Sequence, residues 1–251
     1  MNERKLLESS FKWNPEKNTF IGLAIGMLTV LLSIAMIYVR GNIFVSVFVR
    51  DVLMILIFGI GIPLFIIDKE NGFKEFGLHL DKWYVFLPIN LALGILLLMM
   101  FLRESPLPSD FALSSDIVAR VVYIMLAGVF ETIIFYSFIR TVIERSFGLI
   151  PAILVASLFY SFHHAGFQPE FGKLFCVGIL YATAFRIGNS ALVIYPFFWG
   201  VGGCYDVLFR SKEVSEILYP QIRSIILLLG IGLIIAYLTL KKSIRTSPTS
   251  A

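Results

Sequence analysis

Long apolar runs, interrupted by short polar segments, dominate the chain from residue 19 onward. Thr19–Val39 carries no charged residue, Val52–Ile67 is a shorter uncharged run, and Trp83–Leu102 is again full-length and uncharged. Ile117–Phe138 contains Arg120 and Glu131. It is followed by Ser146–Ala165, Phe171–Arg186, Ser190–Phe209 and Ile222–Leu240, the last with Arg223 in its first turn. A bilayer-crossing helix needs about 20 predominantly apolar residues. The runs are continuous rather than alternating, which favours helices over the closed barrel, the other structure that satisfies its backbone in lipid. The pattern predicts an all-α, polytopic transmembrane helix bundle of about eight helices, the sixth and seventh separated only by the turn Ile187-Gly188-Asn189. The connections are short and no internal repeat or long linker appears. The expected organisation is a polar segment over 1–18, one multi-pass membrane domain over 19–240 and a basic tail over 241–251.

Composition agrees. Of 251 residues, 58% are hydrophobic and 15% are charged, against roughly 25% charged in soluble domains. The mean hydropathy is +0.85. Two cysteines, Cys176 and Cys204, exclude a disulfide framework, and no zinc-knuckle spacing is present. The net charge of +4 is spread thinly, which disfavours nucleic acid as a partner and leaves the lipid bilayer. With both termini in the cytoplasm, that side holds Arg4, Lys5, Lys12, Lys17, Lys69, Lys74, Lys82, Arg140, Arg145, Arg186, Lys241, Lys242 and Arg245. The other side holds Arg40, Arg50, Arg103, Lys173, Arg210 and Lys212. The positive-inside bias therefore predicts a cell-membrane protein with both ends inside. No small-residue cleavage site follows the first apolar run, so it is read as a retained helix rather than a signal peptide.

Ionisable groups inside a membrane are costly and mark candidate chemistry. Glu131 and Asp206 are the two carboxylates that lie well within apolar runs. Asp51 adjoins Arg50 at an apparent helix end and reads as solvated or paired. Of the three histidines, His79 falls in a polar loop, and His163 and His164 end the fifth run. Ala127 and Gly128, one turn before Glu131, leave room for a neighbouring helix. Ser157, Tyr160, Ser161 and His164 share a helix face, whereas His163 aligns with Ala156, Phe159 and Tyr160. This makes His164 the expected inward group, with His163 beside it. A buried glutamate and a histidine suit general-base work on water. They also suit a divalent metal such as zinc, although no His-Glu-x-x-His motif occurs and such a site has to be assembled across helices.

These residues resemble the CAAX prenyl protease and bacteriocin-processing (CPBP, or Abi) family of intramembrane proteases. The resemblance covers about Arg120 to Leu208, within an expected core at 117–209. The family's first motif usually reads Glu-Glu-x-x-Phe-Arg-Gly; here the stretch is Glu131-Thr132-Ile133-Ile134-Phe135-Tyr136-Ser137. The first Glu and the Phe match, while Thr132, Tyr136 and Ser137 depart. The second motif, an aromatic residue four before a histidine, fits Phe159 with His163 and Tyr160 with His164. The third, a histidine on a later helix, is missing, because no histidine follows His164. Trp199 stands near its place, and Asp206 is a nearby carboxylate. The resemblance implies an intramembrane endopeptidase in which Glu131, with His164 and His163, activates water to cleave a membrane-associated or lipidated peptide. Trp199, Asp206 and Tyr160 are candidate substrate-binding groups. The departures leave two rivals: an inactive relative that binds a membrane partner or confers peptide immunity, and an ion-coupled transporter using Glu131 and Asp206.

Overall fold

The computed structural model describes residues 10–39, 41–109, 111–210 and 217–246. Arg4, Lys5, Arg40, Lys212, the side chain of Arg245 and the end of the basic tail lie outside the described residues. Among those described, the helices are α1 (Lys17–Val39), α2 (Ile43–Lys69), α3 (Trp83–Glu104), α4 (Ser115–Phe147), α5 (Leu149–Phe162), α6 (Phe171–Gly188), α7 (Phe197–Tyr205) and α8 (Pro220–Thr246). No strand occurs among them. Wider, π-type turns run through Val47–Gly61 of α2 and Thr132–Ile139 of α4, and continue α7 over Asp206–Arg210.

Six of these helices, all but α5 and α7, are long and apolar enough to cross a membrane. The chain is thus a multi-pass helical membrane protein. Helices form at each of the eight apolar runs, but two are shorter than a bilayer requires. The 14 residues of α5 rise about 21 Å, against a hydrocarbon core of about 30 Å. The Ser190–Phe209 run divides into a single 3-10 turn at Ala191–Val193 and the short α7.

α4 is the central element. It contacts α1, α2, α5, α6, α7 and α8, and every residue of its Thr132–Ile139 stretch is buried. A helix apolar on all sides, as Ile133, Ile134, Phe135, Phe138 and Ile139 make this one, belongs inside a bundle. The periphery is the reverse. Leu31 of α1, Leu96 of α3 and Leu233 of α8 are 55%, 63% and 71% exposed, as expected for side chains that face lipid.

Charge collects at the two ends. At one, Asn18 donates to Glu70, Arg145 bridges Glu70 and Glu75 at 2.7 Å each, and Lys241 pairs with Asp68 at 2.6 Å. Burial and the Arg145 guanidinium oppose each other at Glu75; the hydrogen bond from Arg145 wins and holds its carboxyl below the ordinary value. The backbone of residues 12–14 is also bound here, with Lys12 N donating to Phe147 O and Asn14 N to Ser146 O. The corner between α4 and α5 is turned by Gly148 at φ +93°, where a Cβ would lie 2.6 Å from the Ser10 carbonyl oxygen. At the other end, Lys173 pairs with Asp206 at 2.9 Å and Arg210 with Glu104 at 2.9 Å.

A further charged cluster lies inside the bundle. Asp51 was expected at a helix end, but α2 begins at Ile43, so Asp51 sits two turns within it and is fully buried. Its carboxylate accepts two hydrogen bonds from Arg223 of α8, both 2.8 Å, and one from the Tyr123 hydroxyl of α4 at 2.7 Å. A buried carboxylate needs this pairing to remain tolerable in a low-dielectric interior.

Candidate functional site

The site forms where α5 ends against the middle of α4. Both residues that follow the turn, Ala165 at φ +72° and Gly166 at φ +78°, are left-handed, which stops the helix. The turn is fixed to α1: the Ser33 hydroxyl donates to the His163 carbonyl and accepts from Ala165 N at 3.1 Å. Ser33 lies six residues before the end of α1, so the turn sits about 9 Å inside that end by helical rise. The shortness of α5 thus brings a polar turn deep into the bundle.

The last carbonyls of a helix lack intrahelical donors. Here His164 N bonds to Ser161 O, and the Tyr160 carbonyl is instead contacted by the rings of both histidines. His163 Nδ1 lies 2.6 Å and His164 Nδ1 2.8 Å from that oxygen. A carbonyl only accepts, so each Nδ1 carries the hydrogen. In the neutral ring, Nε2 then presents a lone pair. Both Nε2 atoms face the same target, Glu131 Oε1: His163 at 3.3 Å and His164 at 3.9 Å. The other oxygen, Oε2, accepts from the Trp199 indole at 2.9 Å.

Trp199 reaches Glu131 because several residues place it. Asn90 of α3, fully buried, donates to Leu192 O at 2.8 Å and accepts from Phe198 N at 2.6 Å, which sets the start of α7. Gly128 supplies the space, since a Cβ there would lie 2.2 Å from the indole ring. The room expected beside Glu131 is therefore filled by this side chain. Aromatic rings close the remaining sides. Phe135 lies 4.8 Å and Phe130 5.8 Å from the His163 ring, and Tyr160 meets His164 edge-on at 4.9 Å, centroid to centroid. Next to Glu131, the buried Thr132 hydroxyl has no hydrogen-bond partner among the described residues.

Glu131, His163, His164, Trp199 and Tyr160 come together, Tyr160 through its backbone and ring. The order of the histidines is the reverse of the helical-wheel expectation. His163 is the deeper, 6% exposed, and the nearer to Glu131; the His164 side chain is 32% exposed. The physical reason is that helical spacing ends at Phe162, so the wheel does not extend to either histidine. The polar stripe on which His164 was aligned faces α6 instead. Ser161 donates to Phe171 O at 2.6 Å, and Ser157 packs on Gly178. Asp206 does not join the cluster: Lys173 and Arg210 hold its carboxylate. Arg120 pairs with Asp116, and Arg140 with Glu144, away from Glu131. His79 is in its expected loop, with Nε2 3.0 Å from Asn189 O.

Ser33 and Asn90 are positioning residues that the motif reading does not single out. Ser33 leaves a signal in the sequence: Thr19, Gly22, Gly26, Thr29 and Ser33 form one small, buried face of α1. Asn90, a lone amide in an apolar run, is a second.

Chemically, two imidazole lone pairs and a carboxylate oxygen repel one another unless an electropositive centre, a proton or a metal ion, lies among them. The arrangement can therefore hold and move a proton, polarise water or ligate a cation. Compared with family models, with curated proteins and with solved structures, the chain matches none.

Proposed function

We propose that this protein is an intramembrane peptidase of the CPBP type, hydrolysing a peptide bond of a membrane-associated or lipidated substrate at Glu131. The observation that carries the reading is the convergence of both histidine Nε2 atoms on one oxygen of a buried carboxylate, beneath a helix too short to span. In the proposed reaction Glu131 Oε1 takes a proton from water as its oxygen attacks the scissile carbonyl carbon. The C–N bond then breaks and the proton passes to the leaving amine. His163 and His164 hold or share that proton through Nε2. The Trp199 N–H keeps Oε2 occupied, so that Oε1 is the oxygen free to act. Its indole stands near the place of the missing third-motif histidine.

The proposed setting is a cell membrane with both termini in the cytoplasm. It is supported by the grouping of Lys12, Lys17, Lys74, Arg145, Arg186 and Lys241 around one end of the bundle. The histidine turn then approaches the opposite, outer face.

The test is turnover of membrane-reconstituted protein against membrane-anchored peptide substrates. Glu131→Gln is nearly isosteric and keeps an acceptor for the Trp199 indole, yet it cannot act as a base. It is expected to lower turnover at least about a hundredfold. A second reading is favoured by one observation: Thr132 and Tyr136 replace both charged partners of the family's first motif. In that reading the chain is a non-catalytic relative that binds a membrane partner, and Glu131→Gln leaves its function intact.

A further inference from the structure

We infer that Arg50 binds a carboxylate of the peptide substrate and so sets which peptides the site accepts. This rests on the peptidase reading and names the substrate chemistry of that site. Arg50 lies outside the stretch that carries the family resemblance. It stands seven residues after the start of α2 at Ile43, about 10 Å inside that end by helical rise. Ser33 holds the histidine turn at a similar depth on α1, below the same end of the bundle. The Arg50 guanidinium lies over the Tyr123 ring of α4, with Cζ 5.6 Å from the centroid, so it is turned into the bundle. Tyr123 is eight residues before Glu131 on α4, about 12 Å nearer the end where α1 passes into α2. Glu131, His163 and His164 each lie within Coulombic reach of the Arg50 charge.

The charge around Tyr123 does not balance. Arg223 lies against the same ring, 4.8 Å from its centroid, but Asp51 neutralises it through two hydrogen bonds. The Tyr123 hydroxyl donates to that carboxylate as well. Two guanidiniums thus share one carboxylate, and among the described residues the Arg50 guanidinium makes no ion pair and no hydrogen bond. An arginine at this depth is costly until an anion meets it, and such residues mark substrate paths. A guanidinium is planar and permanently charged, and its paired N–H donors match the two oxygens of a carboxylate. The cation also offsets the repulsion that Glu131 exerts on an arriving carboxylate. A lipid phosphate fits less well, because Arg50 faces a ring inside the bundle rather than the helix end where headgroups lie. The carboxylate comes from an acidic side chain or from the C-terminus of the peptide; the chemistry recognised is the same.

The experiment uses the full chain in phosphatidylcholine nanodiscs and a set of N-acylated, internally quenched Ala/Leu peptides. Each carries one Asp or one Asn at successive positions, and each ends in a carboxylate or a carboxamide. The expected result is that the best carboxylate peptide exceeds its amide twin at least about tenfold in kcat/KM, chiefly through KM. The Asp/Asn arm and the carboxylate/carboxamide arm show which source is recognised. Arg50→Gln is expected to abolish the gap while leaving the amide peptides within about twofold, and Arg50→Lys to keep part of it. Replacement of the exposed Arg103, Arg103→Gln, is expected to keep all of it. No gap in the wild type, or the same gap in Arg50→Gln, overturns the inference. Because a variant can fail to fold, a second measurement uses the wild type alone and reads phenylglyoxal modification of arginines by mass spectrometry. At ten times its half-saturating concentration the carboxylate peptide is expected to slow modification of Arg50 about tenfold, while its amide twin does not and Arg103 is unaffected. Equal protection by both peptides overturns the inference. Protection by phosphatidylglycerol nanodiscs and not by the carboxylate peptide assigns the cation to a lipid phosphate and overturns it too. Cleavage without a carboxylate preference overturns it while leaving the peptidase intact. Selective protection of Arg50 without cleavage of any peptide leaves the carboxylate site standing and removes the peptidase.

Discussion

At the scale of single residues, the site depends on one absent side chain as much as on those present. Gly128 lets the Trp199 indole lie against α4 and reach Glu131. Gly128→Ala forces the ring away, because the added Cβ would stand 2.2 Å from it. Overpacking of this kind costs about 1–3 kcal/mol. The expected outcome is a modest loss of stability in a denaturant titration, a shifted tryptophan emission and lower turnover. The residue scale is also where the sequence misleads. Glu131, His163 and His164 are recognisable from charge and rarity alone. Their relative depth is not, because a helical wheel presumes a helix, and α5 stops at Phe162. The left-handed Ala165 and Gly166 decide the geometry, and Ala at positive φ leaves no mark in a sequence pattern.

At the scale of elements, the apolar runs made every long helix legible, since a span needs little more than length and the absence of charge. The boundaries were less so. The run from Val52 was expected to start after Asp51, whereas α2 starts at Ile43 and carries Asp51 inside. A lone acid near one helix end and a lone base, Arg223, near another are the visible trace of that pair. Neither identifies its partner until α2, α4 and α8 are packed. The pair joins α2 to α8, and Tyr123 ties it to α4, so truncating one member leaves the other charge buried. Asp51→Ala is expected to destabilise the protein by about 3–5 kcal/mol. Replacing both Asp51 and Arg223 with apolar residues of similar volume is expected to restore much of that loss. Unfolding in mixed micelles with increasing SDS reads both variants, and an additive result would show that the pair is not coupled.

At the scale of the whole molecule, the charged end near Lys12 and Lys241 is held by ion pairs that range from exposed to largely buried, whereas the site is held mainly by buried hydrogen bonds. The two regions therefore respond differently to acid. Arg145 lowers the Glu75 carboxyl below its ordinary 4.5, and Lys74 lowers the Asp81 carboxyl below its ordinary 3.8. A carboxyl depressed in the folded state contributes stability above its unfolded value. That contribution is lost as pH falls from the unfolded value through the folded one. The loop between α2 and α3 is thus expected to stay protected at neutral pH and loosen below about pH 4. Hydrogen exchange over residues 72–82, corrected for intrinsic rates, measures this. Unchanged protection there at pH 3 would show that the pairs do not hold the loop.

The shortness of α5 also bears on the lipid around the protein. Ile150, Leu154 and Leu158 leave one flank of α5 open, at 40%, 41% and 37% exposure, while its neighbours α4 and α6 are long enough to cross. Lipids beside a helix about 21 Å long must compress or tilt their acyl chains to cover it. Lipids beside α1 or α8 need not. The bilayer is then thinner on one flank of this protein than on the other. On the proposed peptidase reading, a peptide entering along that flank has less hydrocarbon to cross, and membranes with shorter or more disordered chains are expected to accommodate the protein at lower elastic cost.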